Sequence, residues 1–134
     1  MKNKIKWADR HISRPAPYIA LCFNQKEYND VIDWFGIDHD RSRFINNGAH
    51  ATTHVLIEEG SFACIVCLGD IKNKSVVEVY GLLAHESVHI WQAYVEKIGE
   101  TRPGDEQEAY AVQAVFQSLM TAFLEKSKKV KKKK

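Results

Sequence analysis

The segment SVVEVYGLLAHESVHIWQAYVEKIG, residues Ser75–Gly99, decides how this chain folds. Its apolar positions recur at three- and four-residue spacing, which is typical of one long α-helix with a buried face. Ser75 and Glu78 match a capping box at the start of this helix, and Gly99 is a typical stop. The sequence therefore predicts a well-delimited helix in the second half of the chain.

The pentapeptide HESVH, residues 85–89, places two histidines inside that helix. One helical turn separates His85 from His89, so both imidazoles can reach a single metal ion. Glu86 would lie about 100° around the helix, where it can take a proton from a metal-coordinated water. The pattern is typical of a zinc hydrolase, and the alternative is a helix that carries two solvated histidines.

The other segments predict one small α+β domain in which the HExxH helix packs against a C-terminal helix. Glu59 and Gly60 lie between two β-prone runs and have the spacing of a tight hairpin. Four to five residues join the last two helices, so we expect these helices to pack as antiparallel neighbours. Residues 38–48 are charged and turn-rich, which favours a loop. The expected strands are 18–23, 51–58 and 61–68, and the expected helices are 24–35, 75–99 and 105–126.

The 134 residues suffice for a single domain, which we assign to residues 1–125, but not for a separate substrate lobe. Seven of the 19 basic residues lie in the lysine-rich tail, Lys126–Lys134. Without these seven residues, the chain has 12 basic and 17 acidic residues, so the folded body carries a net charge of −5. We expect a disordered, self-repelling tail, and the alternative is contact with nucleic acid or another anionic surface.

Neither a signal peptide nor a membrane span is predicted, because no apolar run of the required length occurs. Three cysteines suit a reducing compartment better than a disulfide framework, so a cytoplasmic protein is expected. Cys64 and Cys67 have the spacing of metal ligands. In a strand, however, they would point to opposite faces, which favours buried thiols.

A catalytic zinc usually has three protein ligands, and the last helix offers Glu108 as the third. Glu108 shares a helical stripe with Val112, Val115 and Leu119, whereas Glu106 lies on the more polar side. A carboxylate on an apolar stripe is costly unless it is paired or bound to metal, which favours Glu108 as a ligand. The alternative is that Glu108 only completes a capping box with the residue three positions before it.

The HExxH pattern, followed 19 positions later by Glu108, resembles the thermolysin-like gluzincins. The phrases AHESVHIWQ, residues 84–92, and EAYAVQ, residues 108–113, also resemble small phage-encoded proteins of this minimal type. The resemblance covers about residues 50 to 120. It implies a zincin-like fold in which His85, His89 and Glu108 bind Zn²⁺ and Glu86 is the general base.

The expected reaction is hydrolysis of a peptide or protein substrate. Zinc lowers the pKa of its bound water toward ~7, and Glu86 takes the proton and passes it to the leaving amine. By the resemblance, the hairpin before the helix supplies an edge strand for the substrate. The alternative function is a non-catalytic structural or interaction module, of phage type, that zinc stabilises.

Two features depart from the thermolysin-like pattern. Val112 stands where a carboxylate would orient a histidine, so that histidine needs another acceptor. No residue at a fixed spacing is recognisable as the group that stabilises the tetrahedral intermediate. The candidates are His50 and His54, Tyr94 and Tyr110, but we expect an ordinary strand-surface role for the histidines and a packing role for the tyrosines. Trp91 is expected in the core.

Overall fold

The structure is a computed structural model that describes residues 16–36, 43–58 and 60–133. Its elements follow the order β1 (Tyr18–Cys22), α1 (Gln25–Phe35), β2 (Ala51–Glu58), β3 (Ser61–Leu68), α2 (Val76–Ile98) and α3 (Asp105–Lys132). The predicted α+β class is confirmed, with one mixed sheet. The basic N-terminus, Glu59 of the hairpin and residues 38–42 of the expected loop lie outside the described residues.

The three strands form a sheet in the order β1-β3-β2. β1 runs parallel to β3, with Ala20 opposite Ile65, and β2 runs antiparallel to β3, with Thr53 opposite Val66. β3 is buried over nearly its whole length because helices cover both of its faces, which explains its unbroken apolar sequence. Among the described residues, β2 is hydrogen-bonded to a strand on one side only, so it forms one edge of this sheet.

Alternate side chains of β3 enter two separate cores. Cys64, Val66 and Leu68 pack with α2 and α3, whereas Ile65 and Cys67 pack with α1 on the opposite face. The prediction that Cys64 and Cys67 are buried on opposite faces is confirmed, since neither thiol is solvent-exposed. Burial also raises the pKa of Cys64 to about 11.

The helix that carries HExxH begins and ends as its sequence predicts. The hydroxyl of Ser75 accepts a hydrogen bond from the Glu78 amide, and the Glu78 carboxylate accepts one from the Ser75 amide. These bonds hold the pKa of Glu78 below its usual range. Gly99 ends the helix with φ of 76°, a backbone conformation that favours glycine.

α2 and α3 pack as antiparallel neighbours. Near the start of α2, Tyr80 meets Phe123 with ring centroids 6.4 Å apart, whereas Trp91 contacts Glu108 at the start of α3. None of the helices within the described residues carries an apolar stretch long enough to cross a membrane.

The C-terminal helix is longer than expected. α3 continues to Lys132, through most of the segment for which disorder was predicted. Lys126 explains part of the difference, because its ammonium group donates to the Glu27 carboxylate over 2.6 Å and lies 5.0 Å from the centre of the Phe23 ring. This lysine therefore belongs to the folded body rather than to a detached tail.

Candidate metal site

The two histidines of HExxH converge on one point. Their Nε2 atoms are 3.0 Å apart, and both side chains are exposed on the same face of α2. A tetrahedral zinc ion with bonds of 2.0–2.1 Å holds its two nitrogen ligands about 3.3 Å apart. The pair would have to open by only about 0.3 Å to admit such an ion.

Gln92 holds the ring of His89. Its side-chain oxygen, Oε1, lies 3.1 Å from Nδ1 of His89, one turn further along α2. Because an amide oxygen can only accept, this contact favours the tautomer of His89 that carries its proton on Nδ1 and presents the lone pair of Nε2. That is the form of histidine that binds a metal through Nε2.

Glu86 points away from solvent toward the sheet. Its side chain is 4% exposed, and its Oε2 accepts a hydrogen bond from the hydroxyl of Thr53 on β2. Since Thr53 lies on the strand that borders α2, the tertiary fold fixes this carboxylate beside the histidine pair. A buried carboxylate at this position suits a proton acceptor held in one orientation.

The histidines and Glu86 line a cleft of about 400 Å³ between α2 and β2. Thr53 and Val55 of the edge strand form the opposite wall, and polar groups account for much of the surface. The further lining residues are Asn46, Ala49, Ala51, Thr52, Gln92, Ala93 and Glu96. Such a cleft is open to an extended ligand that runs along β2.

Glu108 does not line this cleft. Its Oε2 accepts a hydrogen bond of 2.7 Å from the indole nitrogen of Trp91, on a different face of α2 from His89. The expectation that Glu108 points into the protein is wrong, because its side chain is exposed although Leu119 on the same stripe is buried. The first turn of α3 lies beside the end of α2. The apolar stripe of α3 therefore becomes buried only later in the helix, at Leu119.

The alternative interpretation, in which Glu108 completes a capping box at the start of α3, also disagrees with the structure. α3 begins at Asp105, and the Glu108 carboxylate bonds to Trp91 rather than to a backbone amide at the start of the helix. Over the described ranges, no group of three or more His, Cys, Asp or Glu side chains is arranged to hold a metal ion. Two candidate ligands are thus brought together, and the third is not.

The candidates for stabilising the tetrahedral intermediate lie elsewhere. His54 faces α1, where its ring lies 4.8 Å from that of Tyr28 and its Nε2 lies 3.1 Å from the Phe44 carbonyl oxygen. His50 precedes β2 and does not line the cleft. The idea that these two histidines border the site is therefore wrong.

The aromatic residues of α2 and α3 also lie outside the cleft lining. Trp91 is buried, as expected, and Tyr94 packs against it with ring centroids 5.8 Å apart. Tyr110 is 66% exposed, so the packing role expected for it is wrong. Trp91, through its hydrogen bond to Glu108, supports the α2–α3 contact rather than the histidine pair.

Gln92 and Thr53 were not identified from the sequence. Gln92 carried a usable signal, because the third residue after His89 lies on the same helical face. Thr53 carried none, since its contact with Glu86 depends on how β2 lies against α2.

Comparison with known proteins adds no relative: no family model, curated protein or solved structure matches this chain.

Proposed function

We propose that this protein is a zinc-dependent peptidase, with His85 and His89 as metal ligands and Glu86 as the general base. One observation carries the proposal: the two Nε2 atoms converge to 3.0 Å beside a buried carboxylate that lines the same cleft. A helix with two merely solvated histidines gives no reason for that carboxylate to be buried, because burial of a charge is costly.

Each side chain has a defined part in the proposed reaction. The metal ion, when bound, supplies the Lewis acidity that lowers the pKa of water toward about 7. Glu86 accepts the proton from the attacking water and returns it to the leaving amine. The Thr53 hydroxyl keeps the Glu86 carboxylate in one orientation during both transfers, and Gln92 does the same for the His89 ring.

The proposed substrate is an extended peptide. In the part of the chain that the structure describes, β2 is an edge strand, and its residues Thr53 and Val55 line the cleft together with the histidines. A peptide that adds to this edge would form backbone hydrogen bonds with β2 and pass in front of the histidine pair. This mode of binding uses only β2 and α2 and requires no separate substrate lobe.

Glu108 is the proposed third ligand, although it contacts Trp91 in the described structure. Release of a single hydrogen bond costs about 0.5–1.5 kcal/mol, and bound structural zinc contributes about 10–16 kcal/mol in small domains. The free energy of zinc binding therefore exceeds the cost of releasing the exposed Glu108 carboxylate from the indole. Trp91 provides a probe, since its fluorescence should change when zinc is added.

The first test replaces Glu86 with glutamine. Glu86→Gln keeps the shape of the side chain but removes the proton acceptor, so we expect zinc content equal to wild type and peptide cleavage reduced at least ~100-fold. Cleavage is measured on a fluorogenic peptide library and zinc by elemental analysis. Full cleavage activity in this variant would refute the mechanism.

The alternative proposal is a structural or interaction module that zinc stabilises. Within the described residues, no three His, Cys, Asp or Glu side chains are arranged to hold a metal ion, so the structure contains no ready-made catalytic zinc site. A structural site closes all four coordination positions with protein groups, whereas a catalytic site leaves one for water. X-ray absorption spectroscopy of the zinc-loaded protein distinguishes the two, because water coordination predicts three protein ligands and one further oxygen.

A further inference from the structure

We infer that Gln92 is a positioning residue for the metal site, because its side-chain oxygen orients the ring of His89. The inference rests on the proposed function only in that His89 must bind a metal. It starts from one contact, the 3.1 Å separation between the side-chain oxygen of Gln92 and Nδ1 of His89.

The position of Gln92 in α2 makes this contact intrinsic to the helix. Residues three apart lie on the same face, so the amide reaches the ring of His89 without help from another element. Gln92 also lines the cleft with both histidines. Its side chain is exposed, so core packing gives no account of its orientation.

The contact sets the tautomer of the histidine pair. Because the amide oxygen accepts, Nδ1 of His89 is protonated and its Nε2 is the acceptor. The short separation between the two Nε2 atoms then requires His85 to donate from its own Nε2 in the metal-free protein. Metal binding at His89 needs no change of tautomer, whereas His85 must move its Nε2 proton.

The neighbouring helix offers no substitute for Gln92. On α3, the side chain of Val112 has no hydrogen-bond acceptor, and the Glu108 carboxylate is bonded to Trp91. A histidine ligand without an acceptor at its second nitrogen loses orientation and basicity. Removing such a partner typically weakens metal binding 10- to 100-fold.

The experiment measures zinc affinity by competition with a chromophoric chelator in three variants. Gln92→Leu removes the acceptor, and we expect its zinc dissociation constant to rise about 10- to 100-fold. Gln92→Glu keeps an acceptor and should remain within a few-fold of wild type. Gln113→Leu makes the same substitution at an exposed position of α3 outside the cleft lining and should match wild type.

A second measurement separates positioning from a general structural effect. Long-range proton–nitrogen NMR of the metal-free protein reports the tautomer of each histidine. We expect the Nδ1-protonated form of His89 in wild type and Gln92→Glu, and a shift toward the Nε2-protonated form in Gln92→Leu. Circular dichroism should show the same helix content in all of them.

The outcomes distinguish this inference from the proposed function. Zinc binding by wild type with unchanged affinity and tautomer in Gln92→Leu would overturn the role of Gln92 and leave the metal site standing. Failure of wild type to bind zinc would overturn both. Weaker binding in Gln92→Leu, restored in Gln92→Glu, would establish the positioning role.

Discussion

Glu86 is the one charged side chain that falls in the buried class among the residues the structure describes. Burial of a carboxylate costs free energy unless hydrogen bonds compensate it, and the Thr53 hydroxyl provides such a bond. A protein selected for stability alone would gain from an apolar residue here. We therefore attribute the buried acid to the proposed proton transfer.

Thr53→Val tests whether this hydroxyl supports Glu86. The substitution keeps the β-branched shape but leaves a buried oxygen of Glu86 without its donor, so we expect a loss of about 1–3 kcal/mol in the free energy of unfolding. Urea denaturation measures it. Thr53→Ser retains the hydroxyl and is the matched control; equal stability of the two variants would contradict the role assigned to the bond.

At the residue scale, the sequence was sufficient for contacts within one helix and insufficient for contacts between elements. The convergence of His85 and His89 follows from helical spacing, whether or not a metal binds. The direction of Glu108 was predicted incorrectly, because a helical stripe gives no information on where along α3 the core begins. Likewise, nothing local to Thr53 indicated that it meets Glu86.

Helix α2 is the element on which the site depends, and its two ends are held by local chemistry. The capping box at Ser75 satisfies amides that would otherwise lack partners, and Gly99 ends the helix in the left-handed region. Because these signals are local, residues 76–98 were predicted almost to the residue. The extension of α3 to Lys132 was not predicted, because repulsion among the lysines favours disorder. The contact of Lys126 with Glu27, which holds this part of the helix to the folded body, has no signal in the local sequence.

Ser75→Ala tests the capping box. Loss of an N-cap hydroxyl typically costs about 1 kcal/mol, and we expect that decrease in the free energy of unfolding, measured by urea denaturation. Ser118→Ala is the matched control, because the Ser118 hydroxyl bonds back to the Ala114 carbonyl on the exposed side of α3. There, alanine should be neutral or slightly stabilising. Equal losses in both variants would contradict the capping assignment.

At the scale of the whole molecule, the described residues form a central sheet with α1 on one face and α2 and α3 on the other. β3 lies between the two cores, so its cysteines are shielded from solvent on either face. The alternation that places Cys64 and Cys67 on opposite faces was predictable from strand geometry. The parallel pairing of β1 with β3 was not, because the sequence carries no signal for which strands are neighbours.

Reactivity of the cysteines tests this layered arrangement. All three thiols are buried, and burial raises the pKa of Cys64 to about 11, which further disfavours its reactive thiolate. We expect no more than slow labelling by an aromatic disulfide reagent in native buffer and complete labelling of all three cysteines in urea. A fourth thiol introduced by Ser118→Cys, on an exposed face, should react at once. Equally fast native labelling of the buried thiols would contradict the fold.

The central claim is that the HExxH helix carries a metal ion. Elemental analysis of protein purified without a metal-affinity tag and dialysed against zinc-buffered solution tests it most directly, beside His89→Ala and the exposed control Gln113→Leu. We expect about one zinc ion per chain in wild type and in the control, and at least ~10-fold less in His89→Ala. Zinc absent from wild type, or retained undiminished by His89→Ala, would contradict the claim.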